Sequence, residues 1–282
     1  MDVLTTKAEV RRTVAGVRAR GGSVGLVPTM GYLHEGHLSL ARRARAECDL
    51  VIVSIFVNPT QFGPSEDLDR YPRDLDRDLA LCGKEGVDVV FFPETGEMYG
   101  PGYATWVQVE LLGDYLCGGS RPTHFRGVTT VCSKLFGICT PDRAYFGQKD
   151  AQQAFIIRRM VEDLDQGLEI VVCPTIREAD GLALSSRNVY LSPEQRAQAS
   201  TLRRALVEAE RVVAAGERSA AAVKAAVAAT LAEAPLGRPD YVELVETASL
   251  QPVQQLRGQV LLALAVWFGN TRLIDNTIML AG

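Results

Sequence analysis

Two histidines, His34 and His37, lie one helical turn apart in the segment Pro28–His37 (PTMGYLHEGH). The segment follows a short apolar run, Val24–Val27, and precedes Leu38–Cys48, where apolar and charged residues recur with helical spacing. The sequence thus predicts a strand that delivers two imidazoles to the start of a helix. The first N–H groups of a helix attract anions, and imidazoles beside them can hydrogen-bond the oxygens of a reacting phosphate. We expect a nucleoside triphosphate as the ligand.

The histidine pair also has simpler interpretations, as two surface residues or as half of a metal site. The zinc motif His-Glu-x-x-His places its histidines at i and i+4. Here the spacing is i and i+3, with Gly36 between them, which argues against a metalloprotease. The third histidine, His124, lies between Arg121 and Arg126 and completes a basic loop.

Two further segments carry groups that suit phosphate binding. In Gly147–Asp150 (GQKD) the glycine permits close backbone approach and Lys149 supplies a positive charge, while Asp150 could cap a helix or face a ribose hydroxyl or a metal. Leu184–Asn188 (LSSRN) adds two hydroxyls and a guanidinium. The alternatives are an ordinary helix start with a solvated lysine and a polar linker between domains.

Polar residues after the next apolar run could bind a second substrate. Asn58–Phe62 (NPTQF) offers side-chain amides, although Asn-Pro is also a common start of a loop. Tyr71–Asp78 (YPRDLDRD) adds carboxylates that could hold Mg²⁺ or could form a solvated helix face.

The elements that must position these residues alternate between strand and helix. Predicted strands are Leu50–Val57, Val87–Phe92, Thr105–Glu110, Arg143–Phe146 and Leu168–Cys173, and predicted helices are Asp74–Glu85, Gly127–Cys139 and Ala151–Asp163. Such alternation predicts an α/β fold with a parallel sheet and helices on both faces. Ligands bind such sheets at the carboxyl ends of the strands. The chemistry-bearing loops fall there, at Pro28–His37, Asn58–Tyr71, Gly147–Asp150 and Pro174–Asn188.

Beyond about Tyr190 the sequence changes character. Two Ala-rich helices are predicted over Ser200–Ala215 and Ser219–Ala234. Three strands that we expect to be antiparallel follow them, at Asp240–Glu246, Val260–Phe268 and Arg272–Met279. We therefore divide the chain into a first domain, 1–176, and a smaller α+β domain, 177–282. We expect the second domain and the loop Gly63–Asp69 to cover the active site.

Composition excludes several classes of function. The chain has 282 residues, 47% hydrophobic content and a net charge of −4, which allows a sizeable core and gives no basic footprint for nucleic acid. No run is long enough to span a membrane, and Met1–Arg20 lacks the apolar stretch of a signal peptide, so we expect a cytoplasmic protein. The six cysteines form no C-x-x-C pair and are expected to be reduced and mostly buried.

The order of these motifs resembles the pantothenate synthetase (pantoate–β-alanine ligase) family over nearly the whole chain. Besides PTMGYLHEGH and NPTQF, the resemblance rests on YPR at Tyr71–Arg73, RPTHFRGV at Arg121–Val128, FGQKD at Phe146–Asp150, READGLALSSRN at Arg177–Asn188 and RLIDN at Arg272–Asn276. The chain departs from the family at Leu184, where methionine is usual, and at Cys117, where many members carry glutamate. The first change nearly conserves volume, whereas the second removes a carboxylate from that loop.

The resemblance implies a cytoplasmic homodimer with a Rossmann-like N-terminal domain of the nucleotidylyltransferase superfamily. It implies an enzyme that condenses (R)-pantoate with β-alanine through a pantoyl adenylate, uses ATP and Mg²⁺, and releases AMP and pyrophosphate. The alternatives are a nucleotidylyltransferase, which keeps the nucleotide on its product, and a nucleotide-binding regulatory protein.

Carried over by motif, the resemblance assigns a role to individual residues. The expected ATP site comprises Pro28, Thr29, Met30, Gly31, Tyr32, Leu33, His34, Glu35, Gly36, His37, Gly147, Gln148, Lys149, Asp150, Ile176, Leu184, Ser185, Ser186 and Arg187. The expected pantoate and β-alanine residues are Gln61, Gln153, Asn58 and Tyr71, and the expected Mg²⁺ ligand is Asp78. His37, His34, Lys149 and Arg187 are expected to be catalytic, with His37 as proton donor or transition-state stabiliser.

Overall fold

The structure, a computed structural model, describes residues 1–64 and 66–282. The strands are β1 (Asp2–Leu4), β2 (Val24–Thr29), β3 (Leu50–Ile55), β4 (Val89–Phe91), β5 (Arg143–Gly147), β6 (Glu169–Cys173), β7 (Gly237–Glu246), β8 (Gly258–Phe268) and β9 (Thr271–Ala281). The α-helices are α1 (Lys7–Arg18), α2 (Glu35–Glu47), α3 (Leu75–Lys84), α4 (Thr95–Met98), α5 (Cys117–Ser120), α6 (His124–Cys139), α7 (Ala151–Asp163), α8 (Pro193–Ala199), α9 (Thr201–Ala214) and α10 (Ala220–Leu231). These residues form two compact units, 1–147 with 156–174 and 148–155 with 175–282.

The first unit is built on a six-stranded parallel sheet with the order β1-β4-β3-β2-β5-β6. Every residue of β3 is buried, as its continuous apolar sequence predicts. Strand β2 pairs with β3 on one side and with β5 on the other. The chain adds β3 and β4 on the first side and then β5 and β6 on the second, so the strand order reverses at β2. Right-handed crossovers then place α2 and α3 on one face of the sheet and α1 and α6 on the other. The predicted α/β fold class is confirmed.

Two local predictions in this unit need correction, and one strand was not predicted. Thr105–Glu110 is not a strand, because the extended segment 103–109 lies on α6 and belongs to neither sheet. The hydroxyl of Thr129 donates to Val107 O (2.6 Å), and Val107 N–H donates to the hydroxyl of Thr130 (3.0 Å). Strand β1 was not predicted, since three residues carry no detectable period. Helix α2 begins at Glu35 rather than at Leu38, because its cap precedes the apolar residues.

The second unit contains a three-stranded antiparallel sheet in the order β7-β8-β9, as predicted. The Ala-rich helices α9 and α10 supply small residues to its core, including Ala205, Ala209 and Val227, none of which is exposed. They share this core with Leu262 and Leu264 of β8. Small side chains allow close approach of helix to helix and of helix to sheet, which explains the unusual composition. No helix among the described residues is long and apolar enough to cross a membrane.

Gly127 should be intolerant of a side chain because α6 packs against backbone at this point. A Cβ atom there would lie 2.5 Å from Thr60 O and 2.7 Å from the Cα of Gln61. We expect Gly127→Ala to lower the free energy of unfolding by about 1–3 kcal/mol, since backbone rather than a flexible side chain must move. Gly137→Ala is the matched control, because Gly137 lies on the same helix and a Cβ atom there would have nothing within 4 Å. This substitution should raise the free energy of unfolding by up to about 1 kcal/mol. Urea denaturation measures both, and equal stability of the two variants would contradict this packing.

Candidate active site

The two imidazoles close the N-terminus of α2 by capping it. His34 is the N-cap residue, with extended backbone (φ −137°), and its Nδ1 accepts the N–H of Gly36 at 3.1 Å. In return the backbone N–H of His34 donates to Nδ1 of His37 at 3.3 Å. The ring centroids lie 4.1 Å apart with an interplanar angle of 35°. The arrangement is a capping box in which both side chains are histidine.

This cap determines where each neutral imidazole carries its hydrogen. A neutral ring has one nitrogen that donates and one that accepts, and Nδ1 is the acceptor in both His34 and His37. Each ring hydrogen therefore resides on Nε2, on the side of the ring remote from the cap. Two N–H donors thus accompany the positive end of the α2 dipole, which suits the binding of an anionic oxygen.

A buried carboxylate fixes the turn that precedes the imidazoles. Asp78 of α3 is 1% exposed, and it accepts the N–H of Tyr32 through Oδ2 and the N–H of Leu33 through Oδ1, both at 2.7 Å. Gly31 and Tyr32 adopt positive φ angles of 80° and 50°, and a Cβ on Gly31 would lie 2.9 Å from Ile55 and 3.0 Å from Asp78. Burial raises the pKa of Asp78, while the two N–H groups act in the opposite direction.

These contacts give Asp78 a positioning role and offer no support for the predicted metal role. Each carboxylate oxygen already accepts a backbone N–H. Within residues 1–64 and 66–282 there is no group of three or more His, Cys, Asp or Glu side chains that could hold a metal ion. The described side chains do not fit a protein-held Mg²⁺, and Mg²⁺ at Asp78 stays a prediction.

Asn58 orients the amide of Gln61. Its Nδ2 donates to Gln61 Oε1 (3.2 Å) and to Gly127 O (3.1 Å), and its Oδ1 accepts the hydroxyl of Tyr99 at 2.9 Å. The Nε2 group of Gln61 then approaches the sulfur of Met30 at 3.0 Å. The structure therefore brings Gln61 to the segment that precedes the histidines, with Asn58 behind it as a support. Sequence analysis did not predict Tyr99, which no motif marks.

The basic loop also contacts the segment that contains Gln61. Nδ1 of His124 lies 2.8 Å from Gln61 O, and Arg121 donates to the same oxygen at 3.3 Å. Arg121 also pairs with Glu66 through Nε and Oε1 at 2.7 Å. Burial acts to raise the pKa of Glu66, but the Arg121 guanidinium outweighs it and the pKa is lowered.

The predicted covering loop and the predicted substrate residue Tyr71 belong to the same stretch of chain. Tyr71 is buried, with its ring edge-on to Phe62 at a centroid distance of 5.9 Å. The loop Gly63–Asp69 includes Ser65, which lies outside the described residues, and its covering role stays a prediction.

In the second unit, the predicted phosphate residues occupy two tight turns. Gln148–Asp150 is a short 3₁₀ helix in which Lys149 Nζ lies 3.7 Å from Asp150 Oδ1. In the loop 176–188, the N–H of Leu184 donates to Ile176 O at 3.0 Å.

The end of that loop presents the serines and the arginine at a helix start. Ser185 caps the 3₁₀ helix Ser186–Tyr190 by accepting the N–H of Arg187 at 3.3 Å. Ser186 is buried, and Gln153, the predicted pantoate residue of α7, is partly buried.

The chain is similar to known proteins over nearly its whole length. The family model for pantoate-beta-alanine ligase matches residues 2–278. A pantothenate synthetase of Moorella thermoacetica is 62% identical over 279 residues, which cover 99% of both chains. A crystal structure of pantothenate synthetase from Thermus thermophilus has a TM-score of 0.93 and 49% identity, and it covers 98% of this chain and 99% of its own.

A third relative carries ligands. The pantoate-beta-alanine ligase from Francisella tularensis, described as complexed with beta-gamma ATP and beta-alanine, has a TM-score of 0.81 and 33% identity, with 99% of this chain and 97% of its own covered. The family match over almost the full length, together with these relatives, shows that the chain belongs to the pantoate–β-alanine ligase family.

Proposed function

We propose that the pantoate–β-alanine ligase activity of this chain proceeds through a pantoyl adenylate. A carboxylate oxygen of pantoate attacks the α-phosphorus of ATP, and the bond to pyrophosphate breaks. The neutral amine of β-alanine then attacks the acyl carbon, an amide forms, and AMP leaves with the oxygen that came from pantoate. The observation that carries the proposal is the histidine cap, which holds both rings through Nδ1 at the positive end of α2 and thereby places their hydrogens on Nε2.

Positioning and electrostatics account for the first step. The pantoate carboxylate is ionised at neutral pH, so its attack needs no general base. The site must instead align two anions and stabilise the charge that develops during transfer. We assign this task to His34 and His37, with Lys149, Ser185, Ser186 and Arg187 as further phosphate ligands. If Mg²⁺ takes part, the phosphates of ATP would supply most of its ligands, and the ion would neutralise negative charge there.

We assign recognition of the second pair of substrates to side-chain amides. Gln61, whose amide Asn58 orients, binds pantoate and lies beside β-alanine, and Gln153 adds a contact to pantoate. The structure of the Francisella tularensis relative, described with beta-gamma ATP and beta-alanine, supports this substrate set.

The cysteines of the described residues form no disulfide and are buried, which supports a reducing, cytoplasmic setting. The net charge of −4 argues against nucleic acid as a partner.

We also propose a homodimer that pairs through the extended segment 103–109. Trp106 and Gln108 are exposed, whereas Val107 is partly buried and uses its backbone for α6. Successive N–H groups of an extended chain point in opposite directions, so the N–H of Gln108 points away from α6. Such an edge can pair antiparallel with a second copy of itself about a two-fold axis.

The adenylate is tested by following isotopically heavy oxygen from the carboxylate of pantoate. After a complete reaction with ATP and β-alanine, we expect one heavy atom in the phosphate of AMP and the other in the amide carbonyl. Mass spectrometry of both products makes the measurement. Label in inorganic phosphate would indicate an acyl phosphate, and a nucleotide retained on the organic product would indicate the nucleotidylyltransferase alternative. Either result would contradict the proposal.

The role of the His37 ring hydrogen is tested with His37→Asn. Asparagine can keep an acceptor near the position of Nδ1, and thus the cap, while it removes the Nε2 donor. We expect adenylate formation to slow by about 10²–10³-fold, as for other lost transition-state donors. Single-turnover quench measurements give the rate, and Arg43→Gln, on the exposed part of the same helix, serves as the control. A normal rate in His37→Asn would show that the ring hydrogen is dispensable.

The dimer is tested by light scattering on a sizing column. The wild-type chain should have twice the monomer mass of 30.6 kDa. Gln108→Pro should yield the monomer, because proline cannot donate to the partner strand, whereas Gln108→Ala should remain dimeric. A monomeric wild-type chain, or a dimeric Gln108→Pro variant, would refute pairing through this segment.

A further inference from the structure

The C-terminal motif RLIDN places a polar side chain on each of two consecutive residues of β9, Asp275 and Asn276. Asn276 is 6% exposed and bonds three times to the turn that carries Lys149. Its Nδ2 donates to Gln148 O (2.9 Å) and to Lys149 O (2.8 Å), and its Oδ1 accepts the side-chain amide of Gln148 at 2.9 Å. One amide group therefore satisfies the carbonyls of two successive residues in a turn.

Asp275 makes the corresponding contact with the loop 176–188. It accepts both terminal nitrogens of Arg177, at 2.6 and 2.9 Å, and its side chain is 1% exposed. Arg177 also donates to Gly181 O at 3.1 Å and forms a β-bridge with Ala183, just before the serines. A planar guanidinium held by two parallel bonds fixes orientation as well as distance. Asp275 thus fixes the base of the loop that ends in Ser185–Arg187.

We infer that Asp275 and Asn276 are positioning residues that set Lys149 and the Ser185–Arg187 helix start in one fixed arrangement for the triphosphate. This inference rests on the proposed function, in which both groups bind phosphate. Strand β9 suits the task because it pairs with β8 along its whole length, from Thr271 to Ala281. The two turns are thereby attached to consecutive residues of one strand. The loop 176–188 is also held by Arg196 of α8, which donates to Glu178 and to Asp180 at 2.7 and 2.6 Å.

The inference is tested with Asn276→Asp in a double-mutant cycle with Lys149→Ala. Aspartate keeps the volume but turns an oxygen toward two carbonyl oxygens, so the Lys149 turn must shift. We expect kcat/KM for ATP to fall by about 10- to 100-fold in the chain with Lys149. In the Lys149→Ala background the same substitution should have little further effect, because positioning acts through the lysine. Affinity for a β,γ-non-hydrolysable ATP analogue, measured by calorimetry, should show the same dependence.

Thr277→Val is the matched control on the same strand. The hydroxyl of Thr277 donates to Glu210 Oε1 at 2.7 Å, so the control also loses a hydrogen bond, but one to α9. It should lower thermal stability without changing kcat/KM for ATP. If Asn276→Asp fails to fold, Asn276→Ser, which is too short to reach both carbonyls, replaces it in the cycle.

The outcomes separate the inference from the proposed function. An equal loss in both backgrounds, or no loss, would overturn the positioning role while the wild-type chain still forms AMP from ATP, pantoate and β-alanine. If the wild-type chain forms no AMP, the proposed function fails, and the inference fails with it. For Asp275, the corresponding double-mutant cycle combines Asp275→Asn with Arg187→Ala. If the two substitutions change kcat/KM for ATP independently, the inference is restricted to Asn276.

Discussion

An imidazole can cap a helix only through a ring nitrogen that carries no hydrogen, and this constraint sets the chemistry of the site. His34 and His37 both accept backbone N–H groups through Nδ1, so the bonds that begin α2 also select the Nε2–H tautomer. Asp78 fixes the preceding turn through the N–H groups of Tyr32 and Leu33. The orientation of the rings is thus determined by the backbone before any ligand binds, as electrostatic catalysis requires.

Buried polar side chains likewise support three of the segments that carry predicted ligand residues. Asn58 behind Gln61, Asp78 behind the histidines and Asn276 behind Lys149 are each buried, and each bonds to the backbone of the segment that it supports. A loop cannot pair its own backbone groups in a regular ladder, so buried polar side chains must satisfy them. In this way a rigid site is built from irregular segments, and the supporting residues need no contact with substrate.

Sequence reasoning succeeded where a local pattern has one physical solution. The continuous apolar, β-branched run of β3 predicted a strand buried on both faces, and the alternation of strands and helices predicted the parallel sheet. The prediction of a strand at Thr105–Glu110 was wrong, because the alternation of residue types there fits any half-buried extended chain, including one that lies on α6. The motifs located His34, His37 and Lys149, yet no local signal could link Asn276 to Gln148, from which 128 positions separate it.

Asp78 shows that the site is held at the expense of stability. Burial raises its pKa in the folded state, so its contribution to stability is complete only below the unfolded pKa and is lost as the pH rises through the folded one. Burial of the charge therefore acts against folding, and the N–H groups of Leu33 and Tyr32 offset part of that effect. A neutral asparagine could accept from only one of the two N–H groups and would set a donor against the other. A carboxylate accepts from both N–H groups through one short side chain. The geometry of the turn before His34, rather than stability, therefore explains the aspartate at this position.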